Sequence, residues 1–131
     1  MQITKLLFQA IIDERFDVVE AFIRKGGNVN IKGEMGWAPL HCVVVLGKCN
    51  ITVIRLLLAA GANINAESDD GNTPLHEAAC WRKVESVRFL VSRDANPQAR
   101  NEYGLTPLDY ARASKNKPVV EYLASISDNQ T

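Results

Sequence analysis

The chain is poor in the signatures of catalysis. Its 131 residues hold no Gly-x-Ser-x-Gly, no His-Glu-x-x-His and no phosphate-cradling glycine-rich loop. Those motifs supply a nucleophile, a metal-bound water or a phosphate cradle, so an enzyme is not expected. Net charge is missing too, because 15 basic and 15 acidic side chains cancel. A nucleic-acid binder or a membrane-surface binder draws on a cationic excess, so neither is expected. No apolar run approaches the ~18 residues of a membrane span. The stretch Leu6–Ile12 carries Gln9 and runs into Asp13-Glu14-Arg15 with no small-residue cleavage site, so it reads as a helix rather than a secretion signal.

Cysteine is scarce. Cys42, Cys49 and Cys80 are odd in number and irregular in spacing, which predicts free thiols in a reducing compartment. Together with His41 and His76 they match no familiar zinc spacing, so no metal and no cofactor is expected. A reactive Cys80 would need a depressed pKa, and the expectation is an ordinary, partly exposed thiol.

What the chain does have is recurrence. Ala38-Pro39-Leu40-His41 is followed 35 residues later by Thr73-Pro74-Leu75-His76, and 33 residues after that by Thr106-Pro107-Leu108-Asp109. A second phrase keeps the same beat: Gly26-Gly27-Asn28-Val29-Asn30, then Gly61-Ala62-Asn63-Ile64-Asn65, then Asp94-Ala95-Asn96-Pro97-Gln98. A period of this size marks a stack of similar units. The two extra residues of the second unit fall between Val45 and Lys48, in the turn joining its helices.

Each unit reads as two short helices. Thr73 can cap the first, and Pro74 sits at N1, where its missing N–H costs nothing. Ala78 and Ala79 let neighbouring helices approach closely. The second helices carry apolar stripes at helical spacing: Phe16, Val19, Phe22 and Ile23; Ile51, Ile54, Leu57 and Leu58; Val84, Val87, Leu90 and Val91. Gly26 and Gly61 stand where a helix ends left-handed, and Asp94 takes that place in the third unit. Gly36, Gly71 and Gly104 mark the hairpin-like turns between units.

The stretch Gly71-Asn72-Thr73-Pro74-Leu75-His76-Glu77-Ala78-Ala79 resembles the ankyrin repeat family, and the likeness covers roughly residues 2 to 125. It implies an all-α solenoid of stacked helix-turn-helix units with protruding β-turns. The expected single domain 1–131 divides into a capping unit 1–32, interior units 33–67 and 68–100, a capping unit 101–125 and a frayed polar tail 126–131. Two caps around two interior units suggest a complete small domain. In this family the motif histidine bridges neighbouring turns, which assigns His41 and His76 to structure.

The resemblance also implies where a partner binds. Family contact positions carry over to Glu34, Met35 and Trp37 in the second unit, Asp69, Asp70 and Asn72 in the third, and Glu102, Tyr103 and Leu105 in the fourth. On the first helices they carry over to Val45 and Leu46, Cys80 and Trp81, and Ala113 and Ser114, with Ile12 and Asp13 corresponding in the first unit. Trp, Tyr and Met at such positions suit an interface core, and the acidic residues would rim it. The expectation is a non-catalytic module that presents these residues to a protein partner, as a monomer in the cytoplasm. The alternatives are a homodimer or assembly subunit using the same apolar stripe, and an exported effector acting in a host cell.

Overall fold

The computed structural model describes residues 2–46, 51–81 and 83–129, and the side chains of residues 5–46, 51–81 and 83–126. Among the described residues eight α-helices follow one another: α1 Gln2–Ile12, α2 Phe16–Arg24, α3 Pro39–Leu46, α4 Ile51–Ala59, α5 Pro74–Cys80, α6 Val84–Ser92, α7 Pro107–Ala113 and α8 Lys117–Asn129. A 3₁₀ turn, Glu34–Gly36, precedes α3. Most of these helices are two to three turns long, too short to be stable alone in water. Stacking supplies the difference. The first helices pack in sequence, α1 on α3, α3 on α5 and α5 on α7, while α2 packs on α4 and α6 on α8. The result is two helical layers with the core between them.

Spacing decides which side chains fill that core. Val19 in α2, Ile54 and Leu57 in α4, Val87 and Leu90 in α6, and Val119 and Leu123 in α8 are buried from the second-helix side. Leu7, Leu40, Leu75 and Ala111 meet them from the first-helix side. Ala78 and Ala79 are fully buried where α5 lies against α7. The outer layer is finished with guanidinium groups. Arg55 lies 5.4 Å from the Phe89 ring centre and Arg88 lies 4.7 Å from that of Tyr122. Cation–π contact thus covers aromatic faces on the second-helix side.

The Thr-Pro-Leu-His phrase folds as its chemistry requires. Thr73 Oγ1 accepts from the His76 N–H, and His76 Nδ1 accepts from the Thr73 N–H at 3.0 Å. That fixes the proton on Nε2, which donates to the Leu105 carbonyl of the next unit at 2.8 Å. His41 repeats the arrangement, accepting from the Ala38 N–H and donating to the Asn72 carbonyl at 2.8 Å. Ala38 lacks the hydroxyl, so that cap keeps only its histidine half. In α7, Asp109 closes the box on Thr106 without reaching another unit. The Thr106 N–H bond holds its carboxyl below the usual carboxylate range.

Burial lowers the pKa of both histidines below 6.5, so both are neutral in the fold. Unfolded, they titrate near pH 6.5. Between the two values the unfolded chain binds more protons, so stability is complete above about pH 6.5 and is lost as the pH falls through and below it. Urea midpoints measured between about pH 7.5 and 5.5 should therefore fall on acidification. Burial raises the Glu77 carboxyl, which acts in the opposite sense, so the same pH range is also scanned in Glu77→Gln. A flat midpoint across it contradicts the bridging role of the neutral imidazoles.

The Gly-x-Asn-x-Asn phrase is a second set of cross-unit bonds. Asn63 N–H donates to Asn30 Oδ1 at 2.7 Å, and Asn96 N–H donates to Asn65 Oδ1 at 2.9 Å. Asp94 adopts φ +70°, as Gly26 and Gly61 do at +78° and +97°. The expected tail at 126–131 is corrected in part, because α8 continues through Asn129. Half-buried Ile126 continues the spacing of Val119 and Leu123 by one more turn. The insertion expected at Val45–Lys48 falls largely on Gly47 and Lys48, which together with Cys49 lie outside the described residues.

Candidate functional site

The turns between units form a short ladder. Each closes on itself: Gly33 N–H to Trp37 O, Ser68 N–H to Asn72 O, and Asn101 N–H to Leu105 O. Each also joins the turn before it. Asp69 N–H donates to the Met35 carbonyl and Glu102 N–H to the Asp70 carbonyl, both at 3.0 Å. The ladder fixes the spacing of the side chains at its tips. Gly36 is required by this closeness. Its φ is +70°, and a Cβ there would lie 2.7 Å from the Asp69 backbone nitrogen. Met35 beside it is also left-handed at φ +60°, an uncommon state for a long side chain.

Large exposed apolar side chains have a one-sided distribution. Among the described residues they are Leu6, Ile12, Met35, Leu46, Trp81, Tyr103 and Leu105. All lie on first helices, at their C-terminal ends or on the turns, and none lies on α2, α4, α6 or α8. Trp81 follows α5 directly, 55% exposed, and its indole N–H bonds the Glu77 carboxylate. That bond orients the ring while leaving much of it in solvent. Tyr103 is 64% exposed at the tip of the last turn, and a bond to Glu102, with the charge of Asp70 nearby, raises its pKa. Glu34, Asp69, Asp70 and Glu102 are all exposed along the same tips.

Trp37 differs from Trp81. It is half-buried, packs against the core and stacks on His41 with the ring centres 6.3 Å apart. Its remaining surface joins Met35, Leu46 and Glu34 in the wall of a groove of about 830 Å³ between α1, the 3₁₀ turn and α3. Lys5, Leu6, Phe8 and Ile12 complete that groove from the first unit. The motif gave no reason to select Leu6 or Phe8. A signal was present nonetheless, since α1 carries more apolar residues than one buried face accepts. Leu7, Ala10 and Ile11 take the core, which leaves Leu6 and Ile12 outside.

Asn72, expected among the contact positions, is buried and is not presented at the turn tips as Asp69 and Asp70 are. It is 8% exposed, and its Oδ1 accepts from Asn101 Nδ2 at 2.9 Å and from the Tyr110 hydroxyl at 3.0 Å. Its Nδ2 faces Glu77 Oε2 at 3.4 Å. A short amide tucks under the turn and bonds the next unit, where Trp37 and Leu105 in the same slot cannot.

Cys80 is exposed, and its thiol pKa is raised by partial burial and by Glu77, so it is not an activated nucleophile. Cys42 is buried and pushed up to about 11. No group of three or more metal-ligating side chains exists among the described residues, and none of their helices is long and apolar enough to cross a membrane.

A search of curated proteins finds no match. The family model for ankyrin repeats, three copies, matches residues 6–101 and 53–131. Ankyrin repeats generally serve as protein–protein interaction modules. With the period, the capping boxes, the histidine bridges and the two-layer helical stack all in place, this chain belongs to the ankyrin repeat family.

Proposed function

We propose that the chain is a non-catalytic binding module whose contact face is the row of turn tips and first-helix ends. Trp81, Tyr103, Leu105, Met35 and Leu46 are its apolar anchors, with the exposed part of Trp37. One observation carries the reading: the large exposed apolar side chains gather on this face, while outer-layer aromatics are covered by arginine. A soluble monomer gains nothing from exposing such a row, and contiguous apolar surface of this kind marks binding sites. Glu34, Asp69, Asp70 and Glu102 rim the row, which suits a partner with an apolar centre and basic groups around it. The reading takes the module as a monomer in a reducing compartment such as the cytoplasm.

Affinity capture from source-organism lysate tests it, using wild type and a Trp81→Ala/Tyr103→Ala variant whose fold is checked by circular dichroism. Both residues are more than half exposed, so the fold should survive. Trp81→Ala alone should weaken the captured partner by about 2 kcal/mol, roughly 30-fold. A partner held equally by both proteins moves the site off this face. A concentration-dependent mass abolished in the variant favours self-association through the same stripe.

A further inference from the structure

The turn ladder has an open end next to the apolar groove. Counting from each turn glycine, Asp69 and Glu102 stand two residues before Gly71 and Gly104, and each donates its N–H to the preceding turn. Glu34 stands two residues before Gly36 and occupies the same position. Among the described residues no turn carbonyl lies on that side to accept from it. The groove opens there, with Leu6, Ile12, Met35 and Leu46 as exposed apolar lining. Its charged lining is unbalanced: Lys5 and Lys32 face one carboxylate, Glu34. Lys32 donates to the Glu67 backbone carbonyl, and among the described residues it makes no ion pair.

We propose that this groove receives an extended apolar segment of a partner protein that carries a carboxylate, with a backbone carbonyl of that segment accepting from the Glu34 N–H. The inference rests on the protein-binding reading and names the partner's chemistry at one end of the face. Strand-like addition supplies affinity through backbone bonds, and alternate side chains enter the groove. Lys5 and Lys32 select the acidic residue. The segment would extend the ladder by one rung, as Met35 does for Asp69.

Selection of a displayed random 12-residue peptide library on the whole chain tests this. Enriched peptides should alternate apolar residues and carry Asp or Glu. A synthetic binder, labelled for fluorescence anisotropy, should weaken about tenfold on Lys5→Glu/Lys32→Glu, through the reversed charge. Glu34→Pro removes the N–H and should cost about fivefold, while Glu34→Ala, which keeps it, should bind as well as wild type or better. Gly33, which precedes it, has extended backbone that tolerates a following proline. Arg88→Ala, on the second-helix layer, should leave the peptide bound. Failure to enrich any peptide overturns the proposal, as do binders indifferent to Glu34→Pro and to the lysine changes. Binders lost instead on Trp81→Ala/Tyr103→Ala overturn the groove but leave the protein-binding reading standing. A wild-type dimer that Leu6→Glu dissociates shows a second copy in the groove, and also overturns it.

Discussion

His76→Ala should destabilise the chain by about 3 kcal/mol, with the partner face otherwise unchanged. The imidazole is fully buried and makes three contacts that alanine cannot replace. Its Nδ1 accepts from the Thr73 backbone, its Nε2 donates to Leu105 of the next turn, and its ring meets that of Tyr110 edge-on at 5.4 Å between centres. Truncation opens a cavity and orphans a backbone donor and a backbone acceptor at once. For a chain of this length the melting temperature should fall by roughly 10 °C. His76→Asn is a useful companion, because it keeps polarity but cannot span both units, and should recover little. A loss below about 1 kcal/mol for His76→Ala would mean that the bridge is ornamental and that the histidine must be explained differently.

Asn72→Ala should cost about 2 kcal/mol of stability and leave intrinsic partner affinity unchanged. Asn72 Oδ1 is the acceptor on which Asn101 and Tyr110 converge, at 2.9 and 3.0 Å. Asn101 is itself buried and holds the last turn, accepting from the Tyr103 and Leu105 N–H groups. Removing Asn72 leaves those two turn bonds in place and takes away only the acceptor that Asn101 and Tyr110 share. Equilibrium unfolding and partner titration on the same variant separate the two roles. Unchanged stability with a large affinity loss would restore Asn72 to the contact face.

The contrast between these two residues shows how far the sequence speaks. The role of His76 is legible because its signal is local: Thr73 and His76 lie three residues apart, and the cross-unit bond repeats with the period. The helices, their caps and the left-handed Asp94 follow from the same local chemistry. Asn72 shares a slot with Trp37 and Leu105, and nothing adjacent to it announces burial. Its fate depends on Tyr110, 38 residues away in another unit. The same limit hid Leu6 and Phe8 of the groove, where Lys5-Leu6-Leu7-Phe8 replaces the motif. The second asparagine of each Gly-x-Asn-x-Asn phrase was visible as a repeat, but its bond to the following unit was visible only in space. Period fixes which residues are equivalent. Side-chain size then decides, position by position, which of the equivalents turn inward.

Hydrogen–deuterium exchange of the chain with and without its captured partner tests the central claim most directly. The account predicts slowed exchange in the turns 34–37, 69–71 and 102–105 and at the end of α5, with α2, α4 and α6 unchanged. Protection confined to α2, α4 and α6 would contradict it, and would place the partner on the arginine-covered layer instead.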